Sequence, residues 1–278
     1  MIEGGQESFA GRLADCHTHL DTFDDAALPA MLARARQAGV GIMIVAGVDL
    51  ASSRRAIQLA AAHAPLFAAV GLHPVYLADA VGEADYASLR ALALSHPKVV
   101  AISEIGLDYA EGRAARAVQR TVLRRLARLA VALGRPLIFH DRGAHADTFA
   151  ILAGEGAAAV GAVMHYFTGD AATARRCLDL GGYISVGKPV LKPEYAALRE
   201  IVRDLPLDRL LLETDAYFRP GVAAQTEPWQ LSLVAAQVAE LKGLSVEAVA
   251  KATWENLARL LGWGNETRID RMNRIDPE

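Results

Sequence analysis

The chain has 278 residues, 53% hydrophobic, 22% charged and 6% aromatic, with a formal net charge of −3 at pH 7. That length and apolar content can form one large core, and a barrel domain commonly has this size. The near-neutral balance excludes a whole-molecule positive field, so any nucleic-acid contact has to come from a local patch. Two cysteines, Cys16 and Cys177, without a CxxC pair argue against a disulfide scaffold and fit a reducing, cytoplasmic setting. The leading residues MIEGGQESFAGR lack the apolar run of a signal peptide. No stretch approaches the roughly 20 uncharged apolar residues of a membrane span, so no membrane partner is expected.

Along the chain, β-rich runs alternate with helical ones. LADCHTHL (13–20) reads as the first strand and 26–38 as a helix ended by Gly39. A strand at 40–48 precedes a helix at 52–63, taken to start on a Ser cap and to stop before Pro65. Strands at 66–74 and 99–109 follow, then a long helix at 114–133 closed by Gly134 and Pro136. Strands at 136–141, 160–168, 181–187 and 209–215 complete the set, with helices at 171–180 and 193–204 and two more near 228–242 and 245–261. Several strands are almost continuous in Val, Ile, Leu and Ala, the composition of parallel strands buried on both faces. Eight strands, each followed by a helix, predict an α/β protein, a (β/α)8 TIM barrel, against the alternative of an open doubly wound sheet. No linker divides the chain. The expected organisation is an N-terminal extension (1–12), one barrel (13–263) and a polar tail (264–278).

A barrel of this kind carries its chemistry at the C-terminal ends of its strands. Those ends hold His17 and His19, His73 in GLHP, Glu104 in SEIGLDY, His140 in FHDR, His165 in VMHYF and Asp215 in LLETD. Five of the eight histidines fall there; one strand-end histidine is ordinarily structural, but five together are not. Strand alternation is expected to put His17 and His19 on one face with Asp15 below them, and to turn Cys16 toward the helix layer as a packing residue. Buried groups such as Glu104 and Asp215 need partners, and a metal supplies one. The mixed N/O set suits Zn, Mn, Co or Fe better than Ca. Six ligands exceed the need of one ion, so two divalent ions are expected, with one carboxylate between them.

DCHTHLD, GLHP, SEIGLDY, HDR, HYFTG, GYISVG and LLETD occur in the order found in the TatD family of metal-dependent deoxyribonucleases, within the amidohydrolase superfamily. A final WENLARLLG resembles that family's closing Asn-containing helix. The resemblance covers residues 13–263. It implies His17 and His19 as first-strand ligands, Glu104 as the carboxylate bridging two ions, and His140 and His165 as ligands of the second ion. Asp215 matches the carboxylate that touches the first ion and takes a proton from the attacking water. His73 matches a donor to the scissile phosphate, and Arg142 a phosphate or substrate contact. Asp15 is read as a partner behind the ligands. The implied reaction is phosphodiester hydrolysis at a 3′ end of single-stranded DNA, with two ions about 3.5–4 Å apart, Mg or Mn included, activating water and clamping phosphate oxygens.

Ser103 stands where the family usually has Gly, Asp141 where a small hydroxyl residue is common, and Tyr217 where Pro is usual; Asp141 and Tyr217 are expected on loops. Arg113, Arg116, Arg120, Arg124 and Arg128 form a basic stripe, of which Arg113 and Arg116 are the better DNA contacts and the rest a solvated helix face. Tyr109 and Tyr217 are candidates for stacking on bases, with Tyr166 and Phe218 equally suited to packing. Two other functions fit the same barrel. One is an amidohydrolase or esterase acting on another substrate, D-aminoacyl-tRNA included; the other is a non-catalytic barrel binding nucleic acid or protein.

Overall fold

The computed structural model describes residues 13–77 and 80–263; the expected extension 1–12 and tail 264–278 lie outside them. Eight parallel strands form a closed barrel in sequence order: β1 (Leu13–Thr18), β2 (Val40–Ala46), β3 (Leu66–Val70), β4 (Val99–Asp108), β5 (Leu137–Arg142), β6 (Ala162–Met164), β7 (Tyr183–Val186) and β8 (Leu210–Leu212). Pairing of β1 with β8 through Asp15 and Leu212 closes the ring and excludes the open sheet. Around it lie α1 (Leu28–Gln37), α2 (Leu50–Ala62), α3 (Glu83–Leu94), α4 (Arg116–Leu133), α5 (His145–Gly154), α6 (Ala171–Asp179), α7 (Ala196–Asp204), α8 (Leu231–Lys242) and α9 (Val246–Leu261). None is long and apolar enough to cross a membrane.

Local chemistry explains most boundaries. The cap of α2 is Asp49, not Ser52: its carboxylate accepts from the Ser52 amide at 2.7 Å, and Ser52 completes the capping box from the third helical position. Helix α4 ends at Gly134 in the left-handed conformation, φ 60°, as its sequence predicts. Helices α3 and α5 were not among the segments read from the sequence. HADTFAILAG is apolar nearly all round, and α3 buries only Leu89 and Ala93, so neither shows a clean stripe. Asp141, expected on a loop, lies within β5.

Two apolar layers hold the barrel. The outer one packs strand residues such as Met43, Val70, Ile102 and Phe139 against the helices. The inner one stacks Ala14, Cys16, Ile42, Ile44, Ile138, Val163 and Leu211 within the ring and meets Leu257 and Leu260 of α9. Cys16 therefore faces the ring interior, contrary to the alternation argument. Pairing of β1 with β2 shifts register between Asp15 and Thr18, so strict alternation fails there. Asp15 lies behind the ligands, accepting from the His17 amide at 3.4 Å. It accepts from Thr214, from the hydroxyl at 2.5 Å and the amide at 3.0 Å.

Asn256, buried on α9, donates to the carbonyls of Leu207 (2.8 Å) and Leu210 (2.9 Å) at the start of β8. Asn256→Ala strands both carbonyls, and urea unfolding should show a loss of about 2–4 kcal/mol.

Candidate metal centre

The Glu104 carboxylate is buried where the strand ends converge. Its Oε1 lies 2.9 Å from His165 Nε2, 3.0 Å from His73 Nε2 and 3.6 Å from His140 Nδ1. Its Oε2 lies 3.3 Å from His19 Nε2 and 3.5 Å from His17 Nε2. Asp215 Oδ1 approaches His19 Nε2 at 3.5 Å. All the residues expected as ligands are thus brought around one carboxylate, and His73 joins them.

The chain places them where strands stop. His165 follows the last residue of β6, and Asp215 lies past β8; Tyr166 (φ 47°) and Asp215 (φ 50°) both have left-handed backbone, tolerable for Asp and costly for Tyr. Gly106, two residues after Glu104, has φ 150°; a Cβ there would sit 1.9 Å from the His140 carbonyl oxygen, so only glycine lets β4 pass this close to β5.

The other nitrogen of each ring fixes its tautomer. His19 Nδ1 donates to the Ala46 carbonyl at 2.9 Å, leaving a lone pair on Nε2. His165 Nδ1 donates to Glu213 at 3.2 Å, with the same result. His140 is reversed: Nε2 donates to Asp108 at 2.9 Å, so Nδ1 carries the lone pair. His73 Nδ1 accepts from the Val75 amide at 3.1 Å, which leaves its Nε2 as an N–H donor. Three imidazoles therefore aim lone pairs at a carboxylate, an arrangement that calls for positive charge between them. His17 Nδ1 is buried and without a hydrogen-bond partner. This donor set suits a divalent cation, with Asp108 and Glu213 as carboxylates that orient ligand histidines from behind.

The electrostatics report the same demand. Burial works against Glu104's charge, but His73 and His165 and the bonds from His140 and His165 hold its carboxyl well below the usual range. Burial opposes protonation of His19, yet Glu104 and Asp215 push it up to about 9. His165 is raised well above its ordinary value, against burial, by Glu104 and Glu213. His17 alone is lowered, by burial and by the charge of His165, with which it stacks at 4.1 Å. Candidate donor atoms within 4.8 Å of one another fall into three groups: His17, His19 and Asp215; His17, Glu104 and His165; His73, Glu104 and His140. The pairing of His140 with His165 that the sequence suggested is not among these groups, although both reach Glu104 Oε1.

Residues 14–262 match the family model described as TatD related DNase. The chain belongs to the TatD-related DNase family. It is therefore a metal-dependent hydrolase by family. A Bacillus subtilis relative, named an uncharacterized metal-dependent hydrolase YabD, is 39% identical over 252 residues, 89% of this chain and 98% of the relative. A Cronobacter turicensis relative, named 3′-5′ ssDNA/RNA exonuclease TatD, is 39% identical over 238 residues, 83% of this chain and 90% of its own length. The crystal structure of YJJV, a TatD homolog from Escherichia coli, superposes with a TM-score of 0.82 at 34% identity, covering 90% of this chain and 97% of that one.

In this TatD-family chain the centre opens into a cleft of about 420 Å³. Arg142 and Tyr217 line it as expected, and so do Tyr76, Lys188 and Arg219, which the sequence reading passed over. Arg142 pairs with Glu111 and lies 3.8 Å from Asp108; the Arg219 guanidinium stands 5.1 Å from the Tyr217 ring. Tyr109 lies outside this cleft, its hydroxyl bound to Asp147, and Arg113 is exposed and does not line it. The distal arginines join α4 to the α5 region: Arg120 pairs with Asp147, and Arg124 and Arg128 with Glu155. Asp108 and Glu213 sit inside quoted motifs, EIGLDY and LLETD. Only their contacts reveal that they orient histidines.

Glu213→Gln weakens the acceptor behind His165, and metal titration should show affinity lowered about 10–100-fold. A second expectation concerns protein stripped of metal. The raised value of His19 stabilises the fold fully below its ordinary 6.5, and that contribution is lost as pH rises through about 9. The urea midpoint of stripped protein should fall over this window, and saturating divalent metal should flatten the slope.

Proposed function

We propose that the chain hydrolyses phosphodiester bonds of DNA with two divalent ions, acting as an exonuclease at the 3′ end of single strands. The observation that carries the reading is the buried Glu104 carboxylate with histidines converging on both its oxygens. His17, His19 and Asp215 would hold one ion, His140 and His165 the other, and Glu104 both. Bound ions supply Lewis acidity, which acidifies water and neutralises phosphate oxygens.

The chain's own groups account for the rest. Asp215, which lines the cleft, would accept a proton from the attacking water. His73, with Nε2 fixed as a donor by the Val75 amide, stabilises charge gathering on a phosphoryl oxygen. Arg142, Lys188 and Arg219 place three cations along the cleft, suited to a polyanion and not required by a small neutral amide. Tyr76, 66% exposed, and Tyr217, 37% exposed, offer ring faces to bases at the mouth. The printed names of the Cronobacter exonuclease and of a fission-yeast deoxyribonuclease Tat-D support this substrate class. Two buried, unpaired cysteines accord with a cytoplasmic site of action.

Metal-stripped protein reloaded with Mg2+ or Mn2+ should shorten 3′-overhanging or free single strands labelled at the 5′ end. Glu104→Ala should lower that rate by at least about 10³-fold, and elemental analysis should show fewer than the wild type's two ions per chain. Equal activity in the variant rejects the role of Glu104, and a wild type that cuts amides or esters but no DNA rejects the substrate.

A further inference from the structure

Beside the central cleft lies a second, more open cavity of about 560 Å³, lined by Tyr109, Arg116, His145 and Arg176 among others. The end of β5 lines the first, and the turn into α5 lines the second. Asp141 lines the first cavity and His145 the second, and Asp141 Oδ2 lies 2.7 Å from His145 Nδ1. The Asp141 side chain has no exposed surface, and its other oxygen, Oδ1, is buried without a hydrogen-bond partner. It therefore holds the imidazole through Nδ1, and the His145 side chain is partly exposed.

The groove is lined by two arginines, Arg116 and Arg176, and two acids, Asp147 and Asp170. Among the described residues neither Arg116 nor Arg176 forms a salt bridge, and the Arg116 guanidinium lies 4.3 Å from the Tyr109 ring. The two acids in the groove are engaged. Asp147 takes the Tyr109 hydroxyl and Arg120 at 3.1 Å, and Asp170 caps α6 through the Thr173 amide at 2.8 Å. Helix α5 opens at His145 with no side-chain cap, so its N-terminal dipole adds to the field.

We infer that this groove is a second subsite for single-stranded DNA, in which Arg116, Arg176 and the Asp141-held His145 bind the phosphate of a nucleotide beyond the one being cut. The inference rests on the nuclease reading but concerns binding, which can be measured apart from turnover. Phosphates recur at every nucleotide, so a strand entering the central cleft has to lay its next phosphate on an adjoining surface. This surface adjoins, carries two arginines outside any ion pair among the described residues and includes the Tyr109 ring.

The test uses metal-loaded protein, a fluorescein-labelled oligothymidylate with phosphorothioate linkages for binding, and bis(p-nitrophenyl) phosphate as a small phosphodiester without a second phosphate. Arg116→Gln/Arg176→Gln should weaken oligonucleotide binding about tenfold and lower the slope of log K against log salt by about 0.7 per arginine. Its loss of kcat/KM on the normal oligonucleotide should exceed that on bis(p-nitrophenyl) phosphate several-fold, and His145→Gln should raise KM more than it lowers kcat. Unchanged affinity and salt slope, or equal losses on both substrates, would overturn the subsite. Wild type that binds through these arginines yet cuts nothing rejects the nuclease reading and keeps the groove. Wild type that cuts the small diester but does not bind the oligonucleotide rejects the groove alone.

Discussion

One buried carboxylate governs this molecule. Glu104 receives ring nitrogens from five histidines at 2.9–3.6 Å, in a place water cannot screen. A charge so placed is costly unless cations meet it, whether protons on the imidazoles or a metal. The ends of β1, β3, β5 and β6 each deliver histidine to that charge, and the end of β8 brings Asp215 to His19. The barrel serves because its parallel strands converge their C-terminal ends on one axis.

Behind the histidines stands a second tier that fixes them. Asp108 and Glu213 accept from the far nitrogens of His140 and His165, and the Ala46 carbonyl accepts from His19. These bonds choose the tautomer, and the tautomer decides whether a ring offers a lone pair or a proton. His73 differs from its neighbours for this reason alone: the Val75 amide occupies its Nδ1, so it faces the centre as a donor. Identical residue types thus present either a lone pair or a proton to the centre through one hydrogen bond at the far nitrogen. Asp15 works differently, tying β1 to Thr214 and so setting where Asp215 stands relative to His17.

Much of this was legible in the chain. The alternation of strands and helices gave the barrel, and the polar residue at each strand end gave the centre, because burial on both faces leaves only the ends for polar groups. What failed did so for local reasons. Cys16 turns inward and not toward the helices because β1 slips register against β2, and no residue there announces a bulge. Helices α3 and α5 lack a stripe to read. Tyr109 was expected over the active centre, yet its hydroxyl is drawn to Asp147 in the neighbouring cavity, an acid from a helix 36 residues and more along the chain.

The sequence by itself determined the fold class and the family, and it pointed to six candidate ligands at the strand ends, since these depend on residue type, order and spacing. Tertiary structure decided which nitrogen of each histidine faces the centre, which carboxylates stand behind them, and which arginines remain unpaired beside the cleft. Those depend on contacts between residues far apart in the chain, such as His165 with Glu213 and Arg128 with Glu155. A hydrogen bond's direction is a property of two partners in space, and no single stretch of sequence carries it.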